Sequence, residues 1–297
     1  MTDIIAILMP GDMGHATGGV LAHHGFDVIT CLDGRSDHTK GLAADAGFRD
    51  VGSLDAVVTE ASMVLSILPP AAALGQGSDV AAAMGRTGAK PVYVDCNAIS
   101  PMTTKDIAAV IEAAAAPYID CGIIGLAPGK GPANNPGPRF YVSGNDTAPM
   151  EALDGKGFQV KAIGSDVGRA SGLKMCYAGL TKGTWSLHTA VLLAAEAEGL
   201  SAELREEFAY SQGQTLDQME SRIPRIPADS GRWVGEMEEI AKTFADAGVP
   251  SGFHEGAAEI FRLLEKTPFA SETRATLDTS RTLDETIKET ARHLPKP

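Results

Sequence analysis

The sequence predicts a doubly wound parallel α/β sheet followed by an all-helical C-terminal domain, and three observations carry that expectation. Short β-branched runs alternate with helical stretches over the first 160 residues. The first of these runs breaks into a helix through Gly11 and Gly14. From Ser165 to the end the apolar positions follow helical periodicity, with no convincing strand. The expected boundaries are therefore residues 1–164 for the sheet domain and 165–297 for the helical domain.

Each element has its own signal. "IIAIL" (4–8) is a β-branched run that stops at Pro10-Gly11, and a helix of small residues follows over 13–23. Further strands are expected at "FDVITCL" (26–32), at "ASMVLSILPP" (61–70), ended by two prolines, and at "KPVYVDCN" (90–97). The next helix opens with Ser100 as N-cap and Pro101 in its first turn. "PYIDCGIIG" (117–125) and "PRFYVSG" (138–144) are later strands. Residues 166–200 read as one long helix, so apolar along its length that it needs cover on more than one side. "SRIPRIPADSGR" (221–232) reads as a proline-punctuated connector, and helices are expected over 232–248 and 250–266.

Composition narrows the function. The chain has 297 residues, too long for one small core, and a formal charge of −13. That charge argues against a nucleic-acid or anionic-membrane surface, both of which require clustered Lys and Arg. Cys31, Cys96, Cys121 and Cys176 lie far apart with no C-x-x-C spacing, so free thiols are expected and no metal site. The acidic opening "MTDIIAILMPGD" has too short an apolar run for a signal peptide. No apolar stretch approaches the roughly 20 residues that span a bilayer. The expectation is a soluble cytoplasmic protein.

Two stretches carry chemistry. In "AILMPGDMGHATGG", Gly11, Asp12, Met13 and Gly14 occupy the junction where a Rossmann-type fold places G-x-G-x-x-G, with Met9 in place of the first glycine. Such a turn lets the backbone approach a pyrophosphate at a helix N-terminus, although a plain strand–helix turn would use the same glycines. His15 is within reach of the same group. The second strand ends in "LDGRS", about 20 residues on, where ribose recognition is expected. Asp33 there favours NAD, while Arg35 and Ser36 favour the 2′-phosphate of NADP, so the cofactor is NADP or NAD. The second stretch is "GLKMCYAGLTKG" (172–183), with two lysines among small and apolar residues. Ala178, Thr181 and Trp185 share the helical face of Lys174, whereas Lys182 points about 80° away. Lys174 is the candidate for chemistry, and Lys182 reads as an ordinary lysine.

Four further stretches resemble the β-hydroxyacid dehydrogenase family, relatives of 6-phosphogluconate dehydrogenase. "MVLSILPP" is similar to its Leu-Pro strand end, and "VDCNAISP" (94–101) to its D-x-[ST]-x-x-x-P. "YIDCGIIG" (118–125) is similar to its D-A-P-V-S-G substrate motif, and "GRASGLK" (168–174) to its G-x-[GA]-x-x-x-K. The C-terminal region resembles a subgroup with a phosphogluconate-dehydrogenase-like domain of mostly unassigned function. The resemblance implies that Leu68 and Pro69 lie along the cofactor and Asn97 near the nicotinamide. It implies that Gly122, Ile124 and Gly125 meet the substrate, and that Lys174 is the general acid/base.

The departures from the family are informative. Tyr177 and Ala178 stand where the family has an asparagine, so Tyr177 is a second catalytic candidate, with Thr181 beside the substrate. Ile124 and Gly122 replace the serine and proline of the substrate motif. The later Lys-Asp pair is missing, leaving Arg232 and Trp233 as nearest replacements upstream of Glu236, Glu238 and Glu239. Lys130 and Asn134, in the loop 126–138, are candidates to line the pocket, with an ordinary surface connection equally open, and His254 and Glu255 are candidates for its rim, with a surface or capping role favoured. The implied function is hydride transfer between a nicotinamide and a small β-hydroxy acid or sugar acid, by a homodimer acting on a small carboxylate. An imine reductase on the same scaffold and a non-catalytic dinucleotide-binding protein are the alternatives.

Overall fold

The computed structural model describes residues 3–130, 135–273 and 276–295. The chain divides into two compact units, residues 1–175 and 176–297. The division falls inside the long helix, eleven residues beyond the 164/165 boundary expected from composition.

The first unit runs β1 (Ile4–Leu8), α1 (Asp12–His23), β2 (Asp27–Thr30), α2 (Asp37–Asp45), β3 (Arg49–Asp50), α3 (Leu54–Glu60), β4 (Met63–Ser66) and α4 (Pro70–Thr87). It continues with β5 (Val92–Asp95), α5 (Pro101–Ala113), β6 (Tyr118–Ile124), β7 (Arg139–Ser143), α6 (Ala148–Glu151), β8 (Gln159–Ala162) and the start of α7 (Arg169–Ala197). The strands form one sheet in the order β3-β2-β1-β4-β5-β6-β7-β8. All pairings are parallel except β6 with β7, which are antiparallel. The sheet is therefore mostly parallel, as the strand–helix alternation predicts, with a reversal that alternation does not signal.

Every residue of β4 is buried, as expected of a parallel strand covered on both faces. Alternate residues feed two separate cores. On one face Ala6, Leu8, Val64, Tyr93 and Tyr118 meet Val57 and Val58 of α3, Val80 and Met84 of α4, and Ile107 and Ile111 of α5. On the other, Ile5, Ile7, Leu65, Val94, Ile119 and Phe140 meet Leu21 of α1, Met150 and Phe158. Serines start α2, α3 and α5. Ser36, Ser53 and Ser100 each accept a hydrogen bond from the backbone three residues on, and α5 has Pro101 in its first turn as expected. The first turns of α7 belong to this unit because Gly168, Ala170 and Ser171 all donate backbone N–H groups to Asp120 of β6.

The second unit contains the rest of α7, α8 (Ser201–Ser211), α9 (Gly213–Arg222), α10 (Pro227–Asp246), α11 (Gly252–Glu265) and α12 (Leu283–Ala291). The 221–232 stretch is largely helical rather than a connector. Ile223–Arg225 form a 3-10 turn and Pro227 opens α10, because a first-turn proline has no N–H that a helix needs. Within this unit α7 packs closely against α10 and α11. A Cβ at Gly179 would meet Ile240, Phe244 and His254 at 3.3 to 3.4 Å, and one at Gly183 would stand 2.9 Å from Phe253. Tyr177, Leu180 and Leu187 are exposed on another side of the helix, Leu180 at 72%. Among the described residues no helix is long and apolar enough to cross a membrane.

One feature of the sheet core generates a pH dependence. Asp95 and Asp120 face each other across β5 and β6, both buried. Burial raises the Asp95 carboxyl to about 6, the Asn97 backbone N–H opposes this, and the charge of Asp120 adds to it. A carboxyl raised in the folded state favours folding while protonated, and its contribution is lost as pH rises from about 4 through 6. Asp95→Asn, which keeps the shape without the charge, should therefore exceed the parent in unfolding free energy by up to about 3 kcal/mol above pH 6. The gap should close toward pH 4. Urea titrations across pH 4 to 8 check this, and a gap independent of pH would contradict it.

Candidate active site

In open α/β sheets ligands lie beyond the carboxyl ends of the strands, where the strand order reverses, which here is between β1 and β4. Most of the residues singled out in the sequence cluster along that edge.

After β1 the chain turns through Met9, which has φ +57°, in the left-handed region. The Gly11 N–H donates to the Met9 carbonyl at 2.7 Å, closing the turn. Met9 thus takes the backbone conformation that the missing glycine would supply without strain. A Cβ on Gly14 would approach the same carbonyl to 3.1 Å, whereas nothing lies within 4 Å of one on Gly11. Gly11 is the N-cap of α1, and no side chain caps that end. Asp12 is exposed in the first turn, and Met13 packs partly into the core. His15 is turned to the backbone, with its Nδ1 donating to the Gly11 carbonyl at 2.9 Å.

Beyond β2 lies a cavity of about 450 Å³ lined by Leu8, Cys31, Asp33, Arg35, Leu54 and Gln76. Arg35 donates to Gln76 Oε1 at 3.1 Å, and its Nε is buried with no partner among the described residues. Ser36 is engaged as the N-cap of α2, accepting from Thr39, and Asp33 is exposed. Gln76, on α4, is a lining residue that no sequence motif marks.

Past β4 and β5 the edge is rigid. Asn97 is 1% exposed. Its Oδ1 accepts from Leu68 N–H at 2.6 Å, and its Nδ2 donates to Ser66 Oγ at 3.2 Å. Asn97 therefore holds the turn that presents Pro69, which is exposed, while Leu68 is buried. At β6, Gly122 has a structural reason to be glycine, since an added Cβ would stand 2.5 Å from the Ala170 carbonyl and 3.1 Å from Lys174 Cβ. Ile124 is half-buried, and Gly125 has φ +125° with Pro138 close against it. Lys174 is half-buried, its Nζ donating to the Cys96 carbonyl just past β5 at 3.4 Å. Lys130 is exposed, and Asn134 lies outside the described residues.

The helical unit holds the remaining candidates. Tyr177 is 52% exposed, and Thr181 Oγ1 donates to the Ala178 carbonyl at 3.3 Å. Lys182 is not an ordinary surface lysine. Its Nζ lies 2.6 Å from Glu236 Oε2, and the two side chains are 15% and 5% exposed. Arg232 reaches the other Glu236 oxygen at 2.8 Å, and Lys182 also sits over the Trp233 ring at 5.7 Å. A lysine–carboxylate pair is thus present, with its cation supplied from α7. The sequence conceals it, because 54 residues separate its members. His254 is a buried core residue between Phe244 and Phe253, and burial lowers its pKa. Glu255 is exposed and accepts from Ser251 Oγ. Cys31 is half-buried, Cys96 and Cys121 are buried and Cys176 is exposed, all four as free thiols.

Comparison with known proteins gives the family and the fold. Residues 5–153 match the NAD binding domain of 6-phosphogluconate dehydrogenase, and residues 195–264 match a domain of unknown function, DUF1932. An uncharacterized 28.5 kDa protein of Methanothermus fervidus is 32% identical over 217 residues, which are 73% of this chain and 81% of that protein. A solved conserved protein, described as structurally similar to 3-hydroxyacid dehydrogenases, is 26% identical. It has a TM-score of 0.63 and covers 88% of this chain and 96% of its own. The 3-hydroxyisobutyrate dehydrogenase of Mycobacterium tuberculosis shares the fold at 20% identity, with a TM-score of 0.64 over 97% of this chain and 99% of its own. Imine reductases share the fold as well, at no more than 20% identity.

The turn at Met9 yields a direct test. A non-glycine residue in the left-handed region costs on the order of 1 kcal/mol or more. Met9→Gly relieves that strain, at the cost of a partly buried side chain packed on the core and a more flexible unfolded chain. The variant should stay within about 1 kcal/mol of the parent and bind a dinucleotide no more weakly. Thermal unfolding and a binding titration check both. A loss of several kcal/mol would mean that the methionine side chain, not the backbone, holds the turn.

Proposed function

The chain belongs to the 6-phosphogluconate dehydrogenase-like NAD-binding family, and from that premise we propose that it is an NAD(P)-dependent oxidoreductase. Its substrate in this reading is a small β-hydroxy acid or sugar acid, or the corresponding keto acid. The observation that carries the proposal is the placement of Lys174, whose amine sits past β5 on the strand edge that also bears the Gly11–Gly14 turn.

The residues of that edge fit a dinucleotide. The uncapped N-terminus of α1 offers backbone N–H groups to a pyrophosphate, and the neighbouring cavity has room for a nucleoside. Within it the Arg35 Nε, which has no partner among the described residues, supports NADP as the preferred form, because a 2′-phosphate is what a guanidinium there would meet. A nicotinamide held there would supply hydride transfer to or from the substrate carbon. Lys174, as the neutral amine, takes the hydroxyl proton during oxidation, and as the ammonium it returns that proton during reduction. Asn97 keeps Leu68 and Pro69 in place beside it. Within the helical unit Arg232, held by Asp229 and Glu236, is kept as a candidate substrate contact together with Trp233, Thr181 and Tyr177. The exposed Tyr177, Leu180 and Leu187 of α7 support a homodimer.

The replaced serine at Ile124 and the absent asparagine at Ala178 leave room for an imine reductase. Retention of Lys174 favours the alcohol–ketone reaction, which needs a proton carrier at oxygen.

Fluorescence titration should show saturable NADPH binding at least tenfold tighter than NADH, with the difference abolished in Arg35→Ala. Binding of neither by folded protein would remove the proposal. In a substrate screen with the tighter cofactor, keto acids should outpace cyclic imines, and Lys174→Ala should lower turnover by about 10² to 10⁴. Unchanged turnover in that variant would exclude the lysine. Light scattering should give twice the 30.9 kDa chain mass, and a single-chain mass would end the dimer reading.

A further inference from the structure

Asp120 is 0% exposed, at a depth where an ionised carboxylate survives only if donors surround it. It has them. The backbone N–H groups of Gly168, Ala170 and Ser171 donate to it at 2.9, 3.0 and 3.2 Å. The hydroxyls of Ser143 and Ser171 donate at 2.9 and 2.5 Å. Burial pushes its carboxyl upward, and the hydrogen bonds from Ser171, Ser143 and Gly168 oppose that. The three backbone donors are the N-terminal N–H groups of α7, the helix that carries Lys174. A strand carboxylate is thus the cap of a 29-residue helix.

One further hydrogen bond, one close approach and one spacing make this cap a positional device. Thr104 Oγ1 of α5 donates to Ser171 Oγ at 2.8 Å, tying the first turn of α7 to a second helix. Two residues beyond Asp120, Gly122 lets α7 lie directly on β6, with the Ala170 carbonyl and Lys174 Cβ both within 3.1 Å of where its own Cβ would be. Lys174 follows Ser171 by three residues, less than one helical turn. The turn bearing Lys174 is therefore held at both ends by the segment Asp120–Gly122.

We propose that Asp120 is the positioning residue for Lys174. It touches no substrate. By binding the first N–H groups of α7 it sets the height and rotation of the helix, and thereby where the Lys174 amine stands past the end of β5. Misplacing a reacting group by about 1 Å can cost on the order of 10² in rate, so a loosened cap should be felt in turnover before it is felt in the fold. The consequence for turnover rests on the catalytic role proposed for Lys174, but the consequence for the position of that amine does not.

The test separates the two. Asp120→Asn keeps the shape and removes the charge. Ser171→Ala keeps the charge and removes one donor together with the Thr104 tie. Lys174 is acetylated with acetic anhydride and quantified by peptide mass spectrometry, using the exposed Lys40 of α2 as internal reference. In Asp120→Asn the relative acetylation rate of Lys174 should rise at least threefold, with turnover down at least tenfold and NADPH affinity within twofold of the parent. Ser171→Ala should move acetylation and turnover the same way by less. A folded Asp120→Asn protein with unchanged Lys174 acetylation would overturn the proposal. If that variant does not fold, unchanged acetylation in Ser171→Ala would overturn it instead. Should Lys174→Ala prove fully active, the catalytic reading fails while the acetylation comparison still decides the role of Asp120.

Discussion

A carboxyl buried inside a protein must find partners for its oxygens, and that requirement at Asp120 organises much of the sheet unit. One side chain on β6 gathers the start of α7 and Ser143 of β7, and through Ser171 it reaches Thr104 of α5. Four elements distant in sequence are fixed to one point. Its neighbour across the strands, Asp95, is satisfied differently, by the Asn97 backbone and the Tyr118 hydroxyl, with fewer donors. Two carboxylates side by side with unequal support divide the work. Burial raises both carboxyls; the one with more donors binds a helix, and the other is lifted to about 6.

Much of the fold was legible because it rests on local chemistry. The β-branched runs became β1, β4, β5 and β6, and Ser100 capped α5 from the position its sequence context indicates. The glycine turn was legible too, although Met9 obscured it: a non-glycine residue there takes the left-handed conformation that glycine adopts freely. What escaped the sequence was set by distant partners. Nothing local in "PRFYVSG" says that β7 runs opposite to β6. Pro224 and Pro227 read as breakers, yet each sits in a first turn, where the missing N–H is harmless.

The candidate site divides in the same way. Lys174 was singled out by its apolar helix and by resemblance, and Arg35 by its distance from the glycines. Lys182 was set aside on its helical angle, but Glu236 on another helix gives it a role. Asp120 was visible only as a letter in a motif. Its importance lies in the number of donors that converge on it, which depends on three-dimensional proximity. Gly122, marked in the sequence only by its motif, also provides the space into which α7 fits.

The reversal at β7 has a consequence for the reach of whatever occupies the edge. Six strands, β3 through β6 in spatial order, end in the same direction, and at roughly 4.8 Å per neighbour they span about 24 Å. Beyond β6 the next two strands present their beginnings instead. The row of like-facing strand ends therefore closes at Ile124–Gly125, as a shelf closes at a bookend. An extended ligand has its length limited on that side by the direction of one strand, whatever side chains line the way.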